Sequence, residues 1–272
     1  MKLKHLLSSM VLSVAAAVTP AHAAPILSDI VFVVDESGSM GNVQSNLRDN
    51  IGLFASILTG TGQVDAQYGL VGYGSGNPAP RLLTDFTGAT EFSTAAQNLV
   101  ASGGTEPGYS AVSFALNALD GQTDLFSFRS NAVKNIVILT DEPSNGDWRY
   151  QVGGSNVTAS ILDMLLTENN ALFNGVLSGW STKNSYTDLI TNHGGTVFDL
   201  NAFNTTDQQT VETFVTQFAS TKLQETLDFC ELNPTNPACQ PSTDVPEPAS
   251  LGLIGLGLLG LWARFRRRDL VA

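Results

Sequence analysis

The sequence predicts an α/β domain with a doubly wound, mostly parallel central sheet flanked by helices. Short apolar runs that read as buried strands recur from Ile30 to about Phe229. Segments with apolar residues at helical spacing separate them. Two of the apolar runs stop abruptly at an aspartate, Asp35 and Asp141, as strands do when they carry polar groups to a sheet's carboxyl edge. Alternating strands and helices, some strands apolar on both faces, are the pattern of a sheet covered on both sides.

The elements follow in order. Ile30–Val34 is the first strand. Val43, Leu47, Ile51, Phe54 and Leu58 place a helix over 42–59. Residues 67–74 and 80–86 read as two strands joined by a Gly/Pro turn. Residues 91–101 and 107–119 read as helices, the second striped by Tyr109, Val112, Leu116 and Leu119. A buried strand follows at 134–141, then a helix at 158–169 and a strand at 171–178. A helix at 186–194 and a strand at 195–200 come next. Val211, Phe214, Val215 and Phe218 mark a last long helix. No internal repeat is visible. The domain is expected over 24–229, and just over 200 residues suffice for one sizeable core.

The ends have a different character. Lys2 and Lys4 precede an apolar run from Leu6 to Val18, followed by Ala21-His22-Ala23. A basic start, an apolar centre and an A-x-A site predict a secretory signal peptide over 1–23. After the last helix, five prolines between Asn233 and Pro248 predict a stiff linker over 230–248. Cys230 and Cys239 are the only cysteines, which in an exported chain predicts a disulfide. Residues 249–272 hold an apolar, Gly-rich stretch at 249–263 and then Arg264, Arg266, Arg267 and Arg268. At about 1.5 Å per residue the stretch is short for a hydrocarbon core of about 30 Å. The arginines keep their side cytoplasmic.

Between the ends, residues 24–248 carry 7 basic and 24 acidic side chains, a net −17 against −12 for the whole chain. Such acidity argues against nucleic acid and against anionic membrane surfaces as partners. It suits an exported domain or a cation-rich setting.

Ligand groups in open α/β sheets gather outside the carboxyl ends of the strands. Asp35 ends the first strand, Ser37 and Ser39 follow on its exit loop, and Asp141 ends the strand at 134–141. Thr105 stands on another loop, just before Pro107 and Gly108. Two carboxylates and three hydroxyls would form an all-oxygen site, suited to Mg²⁺, Mn²⁺ or Ca²⁺. Taken singly, Ser39 and Thr105 could each cap a helix, and Asp141 could be a turn residue.

Asp35-Glu36-Ser37-Gly38-Ser39, Thr105 in its Gly-Gly-Thr context and Asp141 together resemble the von Willebrand factor A domain with its metal-ion-dependent adhesion site. The resemblance covers about residues 28–229. It implies that Ser37, Ser39 and, with a partner bound, Thr105 touch a Mg²⁺ ion directly, while Asp35 and Asp141 act partly through water. Neutral hydroxyls leave such an ion under-neutralised, ready to take an acidic oxygen from a partner. Glu36 and Glu142 depart from the family pattern, and their charge could reduce that pull. Trp148 and Tyr150 lie on the long segment 141–155, where they would either meet a partner or pack onto the domain.

Pro246-Glu247-Pro248, the apolar stretch and the arginines resemble the PEP-CTERM sorting signal. That resemblance implies transient membrane anchoring, processing by an exosortase and delivery to the cell surface or extracellular matrix. The expected function is a non-catalytic, metal-dependent adhesion module whose partner is an acidic protein or polysaccharide. A passive matrix protein with a structural metal is the alternative. A metal-assisted hydrolase is the third reading. It has against it a single histidine beyond residue 23, His193, and the lack of G-x-S-x-G, H-E-x-x-H and C-x-x-C motifs.

Overall fold

The computed structural model describes residues 24–240. The expected signal peptide, the Pro246–Pro248 motif and the apolar stretch with its arginines lie outside the described residues. Among the described residues no helix is long and apolar enough to cross a membrane.

The strands are β1 (Ile26–Asp35), β2 (Val64–Tyr73), β3 (Arg81–Thr87) and β4 (Ala132–Thr140), then β5 (Gln151–Val152), β6 (Ser155–Asn156), β7 (Leu172–Leu177) and β8 (Val197–Asp199). Six of them form one sheet in the order β3-β2-β1-β4-β7-β8, parallel except for the edge strand β3. The order reverses beside β1, so the crevice between the carboxyl ends of β1 and β4 is the switch point of a doubly wound sheet. β5 and β6 pair separately as a short hairpin.

The helices are α1 (Gly41–Thr59), α2 (Ala89–Ala95), α3 (Gly108–Ala115), α4 (Ala159–Glu168), α5 (Trp180–Asn192) and α6 (Gln208–Leu232). Alternation along β1 divides the core. Ile30, Phe32 and Val34 pack with side chains of α1, α2 and α6, and Val31 and Val33 with those of α3, α4 and α5. The α1 side is built on aromatic rings: Phe32 meets Phe54, Phe92 and Phe218 edge-on at 5.3–6.5 Å. Burying each such ring contributes about 1.5–3 kcal/mol of transfer free energy.

β1 is twice the length of its apolar run because its polar residues find partners inside. Asn135 Nδ2 donates to Ser28 Oγ at 2.8 Å, and Arg129 donates to both oxygens of the buried Asp29 at 2.7 Å. Lys222 of α6 is fully buried. Its ammonium donates to Asn135 Oδ1 and to Glu225 Oε2, at 2.7 and 2.9 Å, and also to Asn174 Oδ1. Burial lowers its pKa, while Glu225 opposes that shift. This network ties α6 to β4 and β7.

Several boundaries differ from the sequence reading, each for a tertiary reason. The helix expected to reach 101 ends as α2 and a 3-10 turn over 96–98, because Arg81 takes the Asn98 carbonyl and Glu36 takes the Val100 amide. The helix expected to reach 119 stops at Ala115. Asn117, in the left-handed region, uses its side-chain amide to pair with both backbone groups of Phe126. Segment 141–155 is not an open loop. It holds a 3-10 turn and the start of the β5–β6 hairpin, whose Gly153 and Gly154 amides both donate to Asp120.

The expected boundary at 229 is also too early. α6 runs on to Leu232, and residues 237–239 form a 3-10 turn, so the first part of the proline-rich segment is folded. Asn236, Pro237 and Ala238 line a cavity of about 240 Å³ together with Phe128, Arg129 and Phe229. The Cys230–Cys239 disulfide is present and clamps this return to the end of α6, with Cα atoms 5.0 Å apart.

Replacing both cysteines by serine should lower unfolding free energy by about 2–3 kcal/mol, the loop-closure value for so short a ring. Denaturant unfolding of the exported protein checks it. The carboxyl edge of the sheet should keep its structure, because the clamp sits at the opposite end of the strands.

Candidate metal site at the carboxyl edge of the sheet

Parallel pairing sets Val34 of β1 opposite Leu139 of β4. The next step along each strand brings Asp35 beside Thr140, and Asp141 follows. Asp35 is fully buried. Its Oδ1 accepts the Ser37 amide at 2.7 Å, and its Oδ2 accepts the Thr140 hydroxyl at 2.7 Å. The Thr140 Oγ1 in turn accepts the Glu142 amide at 3.1 Å, which fixes the exit of β4. The Asp35 carboxylate is therefore oriented by both loops that leave the switch point.

The Ser37 and Ser39 hydroxyls lie 3.1 Å apart and hydrogen-bond to each other. Ser39 does not cap α1: Met40 holds the cap position, without a side-chain bond. Thr105 does not cap α3 either; Pro107 stands there, and the Ser110 amide is taken by Asp147 at 2.8 Å. Thr105 lies against the segment after β4. A Cβ on Gly146 would sit 2.7 Å from its Cγ2, and Gly146 has φ +80°, so both space and backbone require glycine there. The Thr105 carbonyl and the Asp35 carboxylate both border Gly74. Asp141 is held through its backbone, whose carbonyl accepts the Thr182 hydroxyl at 2.8 Å. Its side-chain Oδ1 is buried and has no hydrogen-bond partner among the described residues. Asp35, Ser37 and Ser39 are thus linked by hydrogen bonds, the Thr105 carbonyl borders the same glycine as the Asp35 carboxylate, and Asp141 directly follows Thr140, which donates to Asp35.

Four side chains the sequence reading passed over complete the site. Thr140 is the link between the two strands. Glu106 is buried, with Asn145 donating to its carboxylate at 2.8 Å. Asp147 accepts from the Ser110 amide, the Ser110 hydroxyl and the Ser144 hydroxyl, so it pins segment 141–150 onto the start of α3. The signal for Thr140 was register: it directly precedes Asp141 on a strand that must lie beside the first. Glu106, Asn145 and Asp147 gave no signal, being ordinary polar residues in loops.

Glu36 does not face this crevice. Its buried carboxylate lies over Gly72, where a Cβ would come within 2.7 Å of it. Arg81 Nε donates to it at 3.2 Å, and the Val100 amide at 2.9 Å. Its charge is therefore paired on the β3 side. Glu142 is exposed. Burial pushes the Asp35 carboxyl up to about 7, with Glu106 adding repulsion. Burial also raises Glu106, with Glu142 and Asp141 adding to the shift. Negative groups are thus gathered where water is scarce.

The donor set fits a hard dication. Asp141 Oδ1 is an orphaned buried acceptor, and a polar atom in that position costs about 1–3 kcal/mol unless something meets it. Hydroxyl and carboxylate oxygens are the ligand types of Mg²⁺, Mn²⁺ or Ca²⁺. Among the described residues no three carboxylate, imidazole or thiolate side chains converge as a chelating group, so the hydroxyls would have to contribute.

These features define a class: a doubly wound α/β domain with a polar crevice at its switch point. Residues 29–217 match the von Willebrand factor type A domain, and the chain belongs to that family. Residues 244–268 match the PEP-CTERM protein-sorting motif. That motif implies processing by an exosortase and marks an exported protein transiently anchored at the membrane. No curated protein matches the chain. Among solved structures, the SpRpn10 VWA domain is similar at 16% identity and TM-score 0.50, over 71% of this chain and 95% of that one. Proximal thread matrix protein 1 from the mussel byssus is similar at 13% identity and TM-score 0.47, over 72% of this chain and 47% of that one.

Thr140→Val keeps shape and removes the donor to Asp35 Oδ2. It should cost about 1–3 kcal/mol at neutral pH, because a buried carboxylate oxygen loses its partner. Thr140→Ser should restore most of that. Chemical denaturation of the three proteins is the measurement, and equal midpoints would mean the strand-to-strand bond carries no weight.

Proposed function

We propose that this chain is an exported, non-catalytic binding module of the bacterial cell surface or matrix, which uses a bound dication to take an acidic oxygen of a partner. The observation that carries the reading is Asp141 Oδ1, buried and unpartnered at the crevice that also holds Ser37, Ser39, Thr105 and Asp35. Ser37, Ser39 and Thr105 would hold Mg²⁺, or Mn²⁺ or Ca²⁺, through hydroxyl oxygens. Asp35 and Asp141 would supply the charge, partly through water. The ion would supply Lewis acidity toward a carboxylate. The pairing of Glu36 with Arg81 supports the reading, since it leaves one fewer free carboxylate to compete.

Ser39→Ala should weaken Mg²⁺ binding with little loss of stability, and Asp141→Ala should weaken it more, because an opposite charge next to the ion is lost. Isothermal titration with Mg²⁺ alone measures both. Partner capture from surface material should fail in EDTA and survive moderate NaCl, since salt screens repulsion between acidic surfaces. Mg²⁺ binding equal in wild type and both variants would sink the reading. Capture that persists in EDTA would leave only a passive matrix role.

The mature protein should lack the residues beyond the Pro246–Pro248 region and lie outside the inner membrane. Mass spectrometry of surface material detects this, and an intact Arg266-Arg267-Arg268 terminus there would exclude processing.

A further inference from the structure

The described chain returns to the amino edge of the sheet before it ends. α6 runs to Leu232, and residues 237–239 turn back to its end, where the Cys230–Cys239 disulfide fixes them. Asn236, Pro237 and Ala238 share one cavity with Ala132 and Val133, the first two residues of β4. Asn169 and Asn170 line that cavity too, just before β7 begins at Leu172. β4 and β7 are parallel neighbours, so the cavity lies at the amino edge. The crevice lies at the other edge, where Asp141 follows the last residue of β4. β4 has nine residues. At about 3.3 Å per residue, the two edges stand about 25–30 Å apart.

We propose that the amino edge is the face this domain turns to the membrane while the chain is anchored, and that the Cys230–Cys239 disulfide holds it there by keeping the tether short. The inference rests on the sorting-motif match and not on the metal-dependent reading. Residues 241–245 alone separate Gln240 from the Pro246-Glu247-Pro248 motif, and the apolar stretch starts at Ala249, directly after it. Whatever course they take, covalent geometry limits their reach to about 20 Å. Turning the crevice toward the lipid would raise Gln240 by the length of the strands, about 25–30 Å, which exceeds that reach. Without the disulfide nothing covalent would hold residues 237–239 to α6, and the tether could begin at Leu232. Residues 233–245 would then reach about 45 Å, enough for either edge to face the lipid. The tether, not adhesion, keeps the amino edge in place, because anionic lipid repels an acidic domain. A disulfide forms in an oxidising compartment, so the clamp closes after export and presents the crevice away from the membrane.

The test uses the unprocessed chain, reconstituted in liposomes through its C-terminal segment. A fluorophore is placed at Ser130→Cys, exposed beside the amino-edge cavity, or at Glu142→Cys, exposed just beyond β4. The native cysteines are paired and do not take the label. Energy transfer to acceptor lipids reads the height of each label. Ser130→Cys should transfer strongly. Glu142→Cys should transfer weakly, since its label should stand about 25 Å farther from the lipid. Two changes should each erase the contrast. One is Cys230→Ser with Cys239→Ser. The other keeps the disulfide and inserts roughly eight Gly/Ser residues after Gln240, about 25 Å of added reach. The insertion leaves the folded part untouched, so it reads tether length even where the serine pair loosens the turn. Equal transfer from the two positions in the parent chain would overturn the orientation. A contrast that survives the insertion would overturn the tether as its cause. A contrast that survives the serine pair but not the insertion would overturn the role of the disulfide.

Discussion

The parallel pairing of β1 with β4 is the constraint on which the rest depends. It sets Val34 against Leu139, and so puts the Asp35 carboxylate within 2.7 Å of the Thr140 hydroxyl. A slip of one residue would turn Asp35 toward the opposite face of the sheet. It would also exchange the β1 side chains packed in the two cores, so that neither face would fit its helices. The hydrophobic core and the polar crevice are therefore enforced by the same register. The core penalises the slip, and the site benefits.

A second constraint is the shortage of positive charge. Only seven lysines and arginines serve residues 24–248. Arg81 is paired with Glu36, Arg129 with Asp29 and Asp65, Lys222 with Glu225, and Arg48 with Asp49. Glu36, Asp29 and Lys222 are buried charges, which stay in a fold only when paired and hydrogen-bonded. The fold thus uses much of its cationic capacity internally. What reaches solvent is strongly acidic. Any acidic ligand meeting this surface needs a cation the side chains do not supply in quantity, and a bound dication at the crevice would supply one at close range.

Much of this was legible in the sequence because it rests on local patterns. Apolar runs and helical spacing gave every strand of the main sheet and the two-sided cover. The strand ends at Asp35 and Asp141 marked the carboxyl edge of the sheet at its switch point, since β1 and β4 are neighbouring parallel strands. What was not legible depends on contacts across the fold. The early end of α2 follows from Arg81 and Glu36, residues distant in sequence. The end of α3 follows from Asn117 meeting Phe126. The run of α6 to Leu232, and the folded turn at 237–239, run against a count of prolines. That count is a local signal, overridden here by a disulfide and by packing beside Phe229. Glu106, Asn145 and Asp147 carry no pattern at all, and only their mutual bonds reveal them.

Those bonds bear on how the crevice works. Asp147 takes three donors, and Asn145 bonds both the backbone and the side chain of Glu106. The segment after β4 is therefore fastened to the start of α3 on either side of Gly146, which presses on Thr105. Ser39 and Thr105 sit next to helix starts yet cap neither helix, since those starts are otherwise arranged. The Ser39 hydroxyl bonds instead to that of Ser37, whose amide donates to Asp35, and the Thr105 carbonyl borders the same glycine as the Asp35 carboxylate. Hydrogen-bonding groups fixed by a stiff scaffold, rather than ordered at the moment of binding, lose little conformational entropy when a ligand arrives. Rigidity built from Asp147 and Asn145 is what would let so small a set of oxygens act as a site.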